Sequence, residues 1–148
     1  MPNTFSFEVH TPYRLFFTGK VESIVLNLTD GEIGVYANHS RFTAPTLCCI
    51  LRIKDDKGVL RFAFVTGGIL EMKELKTILI VDAAEWPEEI DKERALAARQ
   101  KAQNTLATSK QKFEIEYAKV KLRHAEYRLK AAELACQKME NLGSEYLN

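Results

Sequence analysis

The residues whose side chains could carry out catalysis are few in this sequence and stand far apart. The three histidines are His10, His39 and His124, and none sits in a local acid–base motif. Neither G-x-x-x-x-G-K nor G-x-G-x-x-G occurs, and C-x-x-C and H-E-x-x-H are also missing, so no phosphate loop or metal motif is present. A triad assembled only in three dimensions, as in a small hydrolase, stays open. The pattern favours a binding protein without a catalytic site.

The three cysteines do not have the spacing of metal ligands. Cys48 and Cys49 are adjacent, and Cys136 lies far away in a segment that reads as helix. An odd count with this spacing is typical of reduced thiols. We therefore expect all three to be buried and unpaired.

Composition and charge restrict the kinds of partner. The chain has 148 residues, of which 46% are hydrophobic and 28% charged, and its net charge is +1 from 21 basic and 20 acidic residues. This balance shows no basic excess for nucleic acid or for an anionic membrane surface. No run of 18 apolar residues occurs, and the first residues do not resemble a signal peptide. We expect no nucleic acid partner, no membrane insertion, and a cytoplasmic or equivalent compartment.

Glycine and proline divide the chain into two parts. Six of the seven glycines fall between Gly19 and Gly68, and the last proline is Pro87. Residues 1–86 contain many short apolar runs separated by turn residues, a spacing that favours a sandwich or barrel. Residues 87–148 have a helical pattern. The predicted fold class is α+β: an N-terminal antiparallel β-sandwich followed by a C-terminal two-helix antiparallel hairpin.

Capping residues predict where the two helices begin. Asp91 is a good N-cap for an alanine-rich helix that ends near Leu106. Thr108 and Gln111 have the T-x-x-Q form of a capping box, which predicts the start of the second helix. At 1.5 Å per residue the first helix should reach about 25 Å and the second about 50 Å, so the second overhangs the first.

The second helix carries two apolar stripes on opposite faces. The first steps by three and four residues through Ile115, Ala118, Leu122, Ala125, Leu129, Ala132, Cys136 and Met139, and suits the alanine-rich first helix. The second runs through Phe113, Tyr117, Val120, His124, Tyr127, Ala131 and Leu134. It is displaced by two residues, which is about 200° of rotation, and so needs another surface. That surface is the sandwich or a second protein.

Several short motifs in order resemble the epsilon subunit of F-type ATP synthases, called delta in mitochondria. They are F-E-V-H-T-P at 7–12 with G-K-V-E-S-I at 19–24, G-E-I-G-V at 31–35 leading to His39, G-G-I-L-E at 67–71 with A-A-E at 83–85, and I-D-K-E-R-A at 90–95. Together they cover nearly the whole chain. The sequence departs from the family around His39, where both usual prolines are lost, and at Cys48 and Cys49, which replace Pro-Gly.

The resemblance implies a non-catalytic rotor subunit of the proton-driven ATP synthase. In the family, the sandwich (1–86 here) binds the gamma subunit and the membrane rotor ring of c subunits. A ring-contact loop at residues 32–42 would then include Glu32 and His39. This places the chain on the cytoplasmic face of the bacterial plasma membrane, or on the stromal face of a plastid thylakoid.

The resemblance also gives the hairpin (87–148 here) a regulatory role. In many bacterial members it extends along gamma into the alpha/beta catalytic head and blocks ATP hydrolysis. Here the surface that would meet the head includes Tyr117, Val120 and Tyr127.

Some bacterial members bind regulatory ATP when the hairpin is compact, and no other cofactor is required. The matching residues here are Glu85, Asp91, Arg94 and Arg128, while two family arginine positions carry Lys101 and His124. These two replacements predict reduced affinity, since lysine lacks the guanidinium fork and neutral histidine lacks the charge. In the simpler interpretation Asp91 is an N-cap and Arg94 a surface residue. A free-standing nucleotide-binding sensor is the alternative function.

Overall fold

The computed structural model describes the backbone of residues 3–147 and the side chains of residues 3–136. The chain divides between Glu85 and Trp86 into two compact units. The first contains the strands and the second contains the helices.

The first unit is built from short β-strands within residues 3–85. In chain order they are β1 (Phe5–His10), β2 (Leu15–Leu28), β3 (Gly31–Tyr36), β4 (Phe42–Thr46), β5 (Cys49–Asp55), β6 (Leu60–Val65), β7 (Gly68–Met72), β8 (Lys76–Val81) and β9 (Ala84–Glu85). β2 belongs to two layers, because its first half pairs with β1 and its second half with β3 and β5. One layer continues through β8, β7 and β4, and the other through β6 and β9.

The predicted fold class is confirmed, with one difference in strand direction. β1 and β8 pair in parallel, whereas the remaining pairings in the described part of the chain are antiparallel. The two parallel strands are separated by most of the unit's sequence, so no hairpin could join them. Sequence patterning alone does not reveal such a pairing.

The core of this unit follows the alternation of apolar residues. In β1, Phe5, Phe7 and Val9 are buried and the residues between them are half-buried, as period two predicts. The largest fully buried side chains come from both layers and include Phe7, Ile24, Leu26, Leu51, Ile53, Phe64, Leu70 and Leu79. The apolar interior therefore lies between the two layers.

The second unit consists of two helices after a short 3-10 turn at Pro87–Glu89. The first helix, α1 (Lys92–Thr108), begins at Asp91, whose Oδ1 accepts a hydrogen bond from the backbone N–H of Arg94 at 3.1 Å. The predicted N-cap is therefore confirmed. The second helix, α2 (Lys112–Leu147), has 36 residues against 17 in α1, so the predicted overhang is present.

The predicted capping box at Thr108 is wrong. Thr108 is the last residue of α1, and its hydroxyl donates to the carbonyl of Asn104 at 2.8 Å. A threonine that bonds back to the preceding turn belongs to the helix it ends. Ser109 is the C-cap of α1, and its Oγ accepts from the N–H of Gln111 and donates to Glu114 in the first turn of α2.

Alanines form most of the buried contact surface between α1 and α2. Ala95 and Ala102 are buried in α1, and Ala118, Ala125 and Ala132 of the predicted first stripe are buried in α2. Met139 of that stripe lies outside the described side chains. Small side chains at these positions allow the helices to approach closely.

The expectation for the cysteines is only partly met. Cys48 and Cys49 are buried free thiols, but Cys136 is exposed. It lies 3.4 Å from the ammonium nitrogen of Lys92, the first residue of α1. This contact confirms that the two helices run antiparallel. Burial raises the pKa of the Cys49 thiol, so this thiol stays protonated near neutral pH.

Candidate functional site

An exposed row of side chains crosses the outer face of the first unit. Register places Pro45 opposite Ile69, Ile69 opposite Ile80, Ile80 opposite His10 and His10 opposite Leu15. Residues that face one another in a sheet share a face, so these five form one line over five strands. Ile69, Ile80 and Leu15 are each about half exposed, at 51%, 50% and 49%. We call this line the outer apolar row.

A charged rim borders the row on the same face. Glu8 lies opposite Ile78, one step along the strands, and forms an ion pair with Lys76. The Lys76 ammonium holds the pKa of the Glu8 carboxyl below its ordinary value, and His10, 3.7 Å from Glu8, acts in the same direction. An apolar centre with a polar rim is the usual anatomy of a protein–protein interface.

The sequence contains a signal for this row in the apolar residues on both sides of two strands. Strands with one solvent-facing side should place polar residues there, yet Ile69 and Ile80 are outward-facing isoleucines in β7 and β8. Their pairing was not apparent from either strand alone. Large apolar residues on the outer face of an antiparallel strand pair indicate a surface that another molecule covers.

The expected ring-contact segment is not one loop. Gly31–Tyr36 forms strand β3, so the prediction of a loop over residues 32–42 is wrong for this part. Glu32 lies near the start of β3, where its carboxylate pairs with Arg52 at 2.9 Å. His39 lies in the following loop, near the opposite end of the strand. Ile33 and Val35 alternate with Glu32 and Gly34, the period of a half-buried strand, and Gly34 keeps its place opposite Val25 of β2.

His39 turns toward its own unit. Its Nε2 lies 3.0 Å from the hydroxyl of Thr77, a fully buried residue, and its ring meets Phe5 edge to face with centroids 5.6 Å apart. The preceding residue, Asn38, has a φ of 65°, in the left-handed region that asparagine tolerates better than most residues. His39 therefore anchors the loop that the family's two prolines would have stiffened.

The four residues expected to bind ATP divide between the two units. Glu85 is in β9 of the first unit, while Asp91, Arg94 and Arg128 belong to the second. Asp91 is engaged as the N-cap of α1, and Arg94 is an exposed first-turn residue. The structure thus agrees with the simpler interpretation of these two residues, and ATP binding stays a prediction.

The second stripe of α2 is open at its N-terminal end. Phe113, Tyr117 and Val120 are 81%, 58% and 49% exposed, whereas Tyr127 is half-buried. Single exposed apolar side chains are common on protein surfaces, whereas three large ones next to each other on one face of a helix mark a contact surface. This end of α2 has the character of a contact surface.

Two exposed apolar surfaces, the outer apolar row and the N-terminal end of the stripe on α2, stand out among the described residues. Among residues 3–136 no three His, Cys, Asp or Glu side chains are grouped to hold a metal ion. Over the same described range no helix is long and apolar enough to cross a bilayer. The described residues thus form a β-sandwich with an apolar outer row, followed by a helical hairpin with an exposed stripe.

Two family models divide the chain within two residues of the division in the structure. The beta-sandwich domain of the ATP synthase delta/epsilon chain matches residues 4–87, and the long alpha-helix domain of that chain matches residues 88–133. The chain therefore belongs to the ATP synthase delta/epsilon family, whose members are non-catalytic subunits of the rotary complex.

Curated bacterial relatives agree over most of both sequences. The ATP synthase epsilon chain of Caldicellulosiruptor bescii is 46% identical over 129 residues, which cover 87% of this chain and 93% of the relative. That of Caldanaerobacter subterraneus subsp. tengcongensis is 42% identical over 133 residues, covering 89% and 96%.

Solved structures share the fold at lower identity. A chain in the Euglena gracilis mitochondrial ATP synthase structure, which contains OSCP, F1 and the c-ring, matches with a TM-score of 0.76 and 20% identity, covering 92% of this chain and 83% of that one. A chain in the central stalk and c-ring structure of the Tetrahymena thermophila enzyme matches with a TM-score of 0.59 and 16% identity, covering 86% and 96%. At these identities the likeness supports the fold.

Proposed function

We propose that this chain is a central-stalk subunit of a bacterial F-type ATP synthase, bound peripherally at the cytoplasmic face of the plasma membrane. In this role the sandwich joins the gamma subunit to the membrane rotor ring and couples rotation of the ring to the catalytic head. The names of the bacterial relatives support the complex, and the outer apolar row supports the docking function.

The outer apolar row is the surface we assign to gamma. Its isoleucines lie side by side on β7 and β8, where register fixes their spacing, and Glu8 and Lys76 provide charge beside them. Burying half-exposed isoleucine and leucine side chains at an interface yields hydrophobic stabilisation, while the rim adds orientation. We assign the contacts with the rotor ring to Glu32 and the loop around His39. This assignment is independent of the one for gamma.

The double variant Ile69→Glu with Ile80→Glu should lose assembly with gamma. Two carboxylates placed at the centre of an interface must be desolvated without partners, which should weaken binding by about 100-fold or more. Both positions are half exposed in the chain itself, so its folding should survive. The measurement is binding of the purified full chain to gamma by biolayer interferometry, together with circular dichroism to verify folding.

Leu75→Glu is the matched control for that experiment. Leu75 is 84% exposed in the turn between β7 and β8, outside the row, so this variant should bind gamma as the unmodified chain does. Normal gamma binding by the double variant would overturn the assignment of the row. Failure of the unmodified chain to bind gamma at all would overturn the stalk function itself.

We further propose that ATP binds weakly to the hairpin unit and favours its compact form. Arg94 on α1 and Arg128 on α2 supply guanidinium groups suited to phosphate, and a ligand held by both helices binds only when they lie side by side. Lys101 and His124, which replace two family arginines, reduce the charge-assisted contacts. With the hairpin extended instead, Tyr117, Val120 and Tyr127 would face gamma and the alpha/beta head and slow ATP hydrolysis.

Calorimetric titration of the full chain with ATP should give a dissociation constant no tighter than about micromolar. Arg94→Ala and Arg128→Ala should each weaken it by about tenfold or more, because a hydrogen bond to a charged group contributes about 1.5–3 kcal/mol. Arg99→Ala, on α1 between these positions in sequence, should change little. Absence of heat at millimolar ATP would remove the nucleotide role. Binding by a chain that never joins the synthase would favour the free-standing sensor.

A further inference from the structure

A cavity of about 310 Å³ opens between α1 and α2 near the bend of the hairpin. Its residues come from both helices: Ala98, Lys101, Ala102 and Thr105 from α1, and Tyr117, Ala118 and Lys121 from α2. The alanines leave space because their side chains end at Cβ. The exposed Tyr117 ring adds an aromatic surface, and the volume is at the lower end of the range of small-molecule sites.

Two lysines, Lys101 and Lys121, line this cavity, and neither forms an ion pair with a carboxylate of the described side chains. The Lys121 ammonium lies 5.3 Å from the centroid of the Tyr117 ring. The Thr105 hydroxyl donates to the carbonyl of Lys101 at 3.0 Å, which leaves its oxygen lone pairs to accept. An apolar space with two unneutralised positive charges is complementary to an amphipathic anion.

From this geometry we propose that the hairpin carries a binding site for a small aromatic carboxylate. Its ring would occupy the alanine-lined space beside Tyr117, and its carboxylate would accept hydrogen bonds from Lys101 and Lys121. Such charge-assisted bonds are stronger than neutral ones, and offset ring stacking adds to the burial of the apolar body. The two lysines explain the selectivity for an anion.

This site shares Lys101 with the positions expected to hold ATP, but it includes neither Arg94 nor Arg128. Arg94 lies seven residues before Lys101 on α1, and Arg128 lies seven residues after Lys121 on α2. In an antiparallel hairpin both are displaced in the same direction, by about 10 Å along the helices. The cavity is therefore nearer the bend, and its ligand needs neither arginine.

A ligand at this site would favour the compact hairpin. Both helices provide lining residues, so the complete site exists only when α1 and α2 lie side by side, and a ligand stabilises the state that it binds. An effect on ATP hydrolysis rests on the proposed regulatory function. Binding itself does not, because it is measured on the separate full chain.

The test uses 2-naphthoate and its neutral analogue 2-naphthamide as probes. Calorimetric titration should show saturable binding of 2-naphthoate to the full chain and at least about tenfold weaker binding of the amide. Lys101→Gln and Lys121→Gln should each reduce naphthoate affinity by about tenfold while leaving amide binding unchanged. Lys112→Gln, which changes an exposed lysine of α2 outside the cavity, should bind 2-naphthoate as the unmodified chain does.

A second readout follows the hairpin directly. Lys92 and Cys136 are 3.4 Å apart in the compact form, so a short amine-to-thiol cross-linker should join them, and mass spectrometry can count the product. 2-Naphthoate at a concentration near its dissociation constant for the unmodified chain should raise the yield in that chain and raise it much less in Lys101→Gln. The proposal is overturned if 2-naphthoate does not bind the unmodified chain at millimolar concentration, or if 2-naphthamide binds that chain as tightly as 2-naphthoate does. It is also overturned if the lysine variants bind 2-naphthoate as tightly as the unmodified chain, or if 2-naphthoate lowers the cross-link yield.

Discussion

Gly68→Ala should destabilise the sandwich by about 4 kcal/mol or more, enough to prevent folding in a domain of this size. A Cβ built at Gly68 would lie 1.8 Å from the carbonyl oxygen of Ile80, 2.9 Å from its carbonyl carbon and 3.0 Å from the Cα of Val81. These are backbone atoms of the paired strand β8, where Gly68 lies opposite Val81. They could move only by breaking the β7–β8 ladder, so no side-chain rearrangement relieves the clash.

Gly19→Ala is the matched control for this prediction. A Cβ at Gly19 would make ordinary contact with the Phe17 ring at 3.5 Å, and alanine loses less backbone entropy than glycine on folding. Urea denaturation followed by circular dichroism should place Gly19→Ala within about 1 kcal/mol of the unmodified chain. A Gly68→Ala variant with unchanged stability would show that β7 and β8 are not paired as described.

The local pattern of apolar and capping residues was sufficient to predict a strand or helix that has a single buried face. The alternation of Phe5, Phe7 and Val9 in the sequence indicates both β1 and its buried side, and Asp91 predicted the start of α1. Both signals come from residues close in sequence, and the physical rules behind them act over the same short range. The family resemblance added the order of the elements, which the comparisons then confirmed.

Patterning failed where pairing with distant residues decides the structure. β4 was not predicted, because Pro45 interrupts its apolar run and cannot donate a hydrogen bond to the sheet. The strand exists because Phe42–Thr46 pairs along its full length with β7. The loop assigned to residues 32–42 failed for a similar reason, since β3 is held by the second half of β2.

The candidate sites could be predicted from the sequence even less well than the strands, because residues distant in sequence come together in them. The outer apolar row consists of residues from five strands, and only the register brings Pro45, Ile69, Ile80 and Leu15 into one line. The cavity between the helices depends on which alanines face each other across the hairpin, which a single helix pattern does not contain. Cys136 belongs to the predicted buried stripe, yet it is exposed.

Ending the chain at Pro87 should raise the rate of ATP hydrolysis by the complete synthase by about twofold or more, while ATP synthesis continues. The strands form a compact unit that ends at Glu85, so the shortened chain should fold and retain the outer apolar row. It lacks α2, whose Tyr117, Val120 and Tyr127 are the surface we expect to contact the catalytic head, and Phe113, Tyr117 and Val120 are the exposed part of the same stripe. If the extended hairpin blocks half of the complexes, its removal doubles the hydrolysis rate, and a larger blocked fraction gives a larger increase.

A full-length control variant tests whether inhibition of ATP hydrolysis comes from the exposed stripe of α2 or from any other part of the hairpin. The triple variant Phe113→Ala, Tyr117→Ala and Val120→Ala keeps both helices, since alanine favours helix and these side chains are exposed. It should reproduce most of the increase if the stripe makes the inhibitory contact. ATPase and proton-driven synthesis are measured on membranes that contain each form of the complex. A rate that the truncation leaves unchanged would exclude inhibition and make the hairpin a passive brace. An increase seen with the truncation but absent from the triple variant would move the contact to another face of α2.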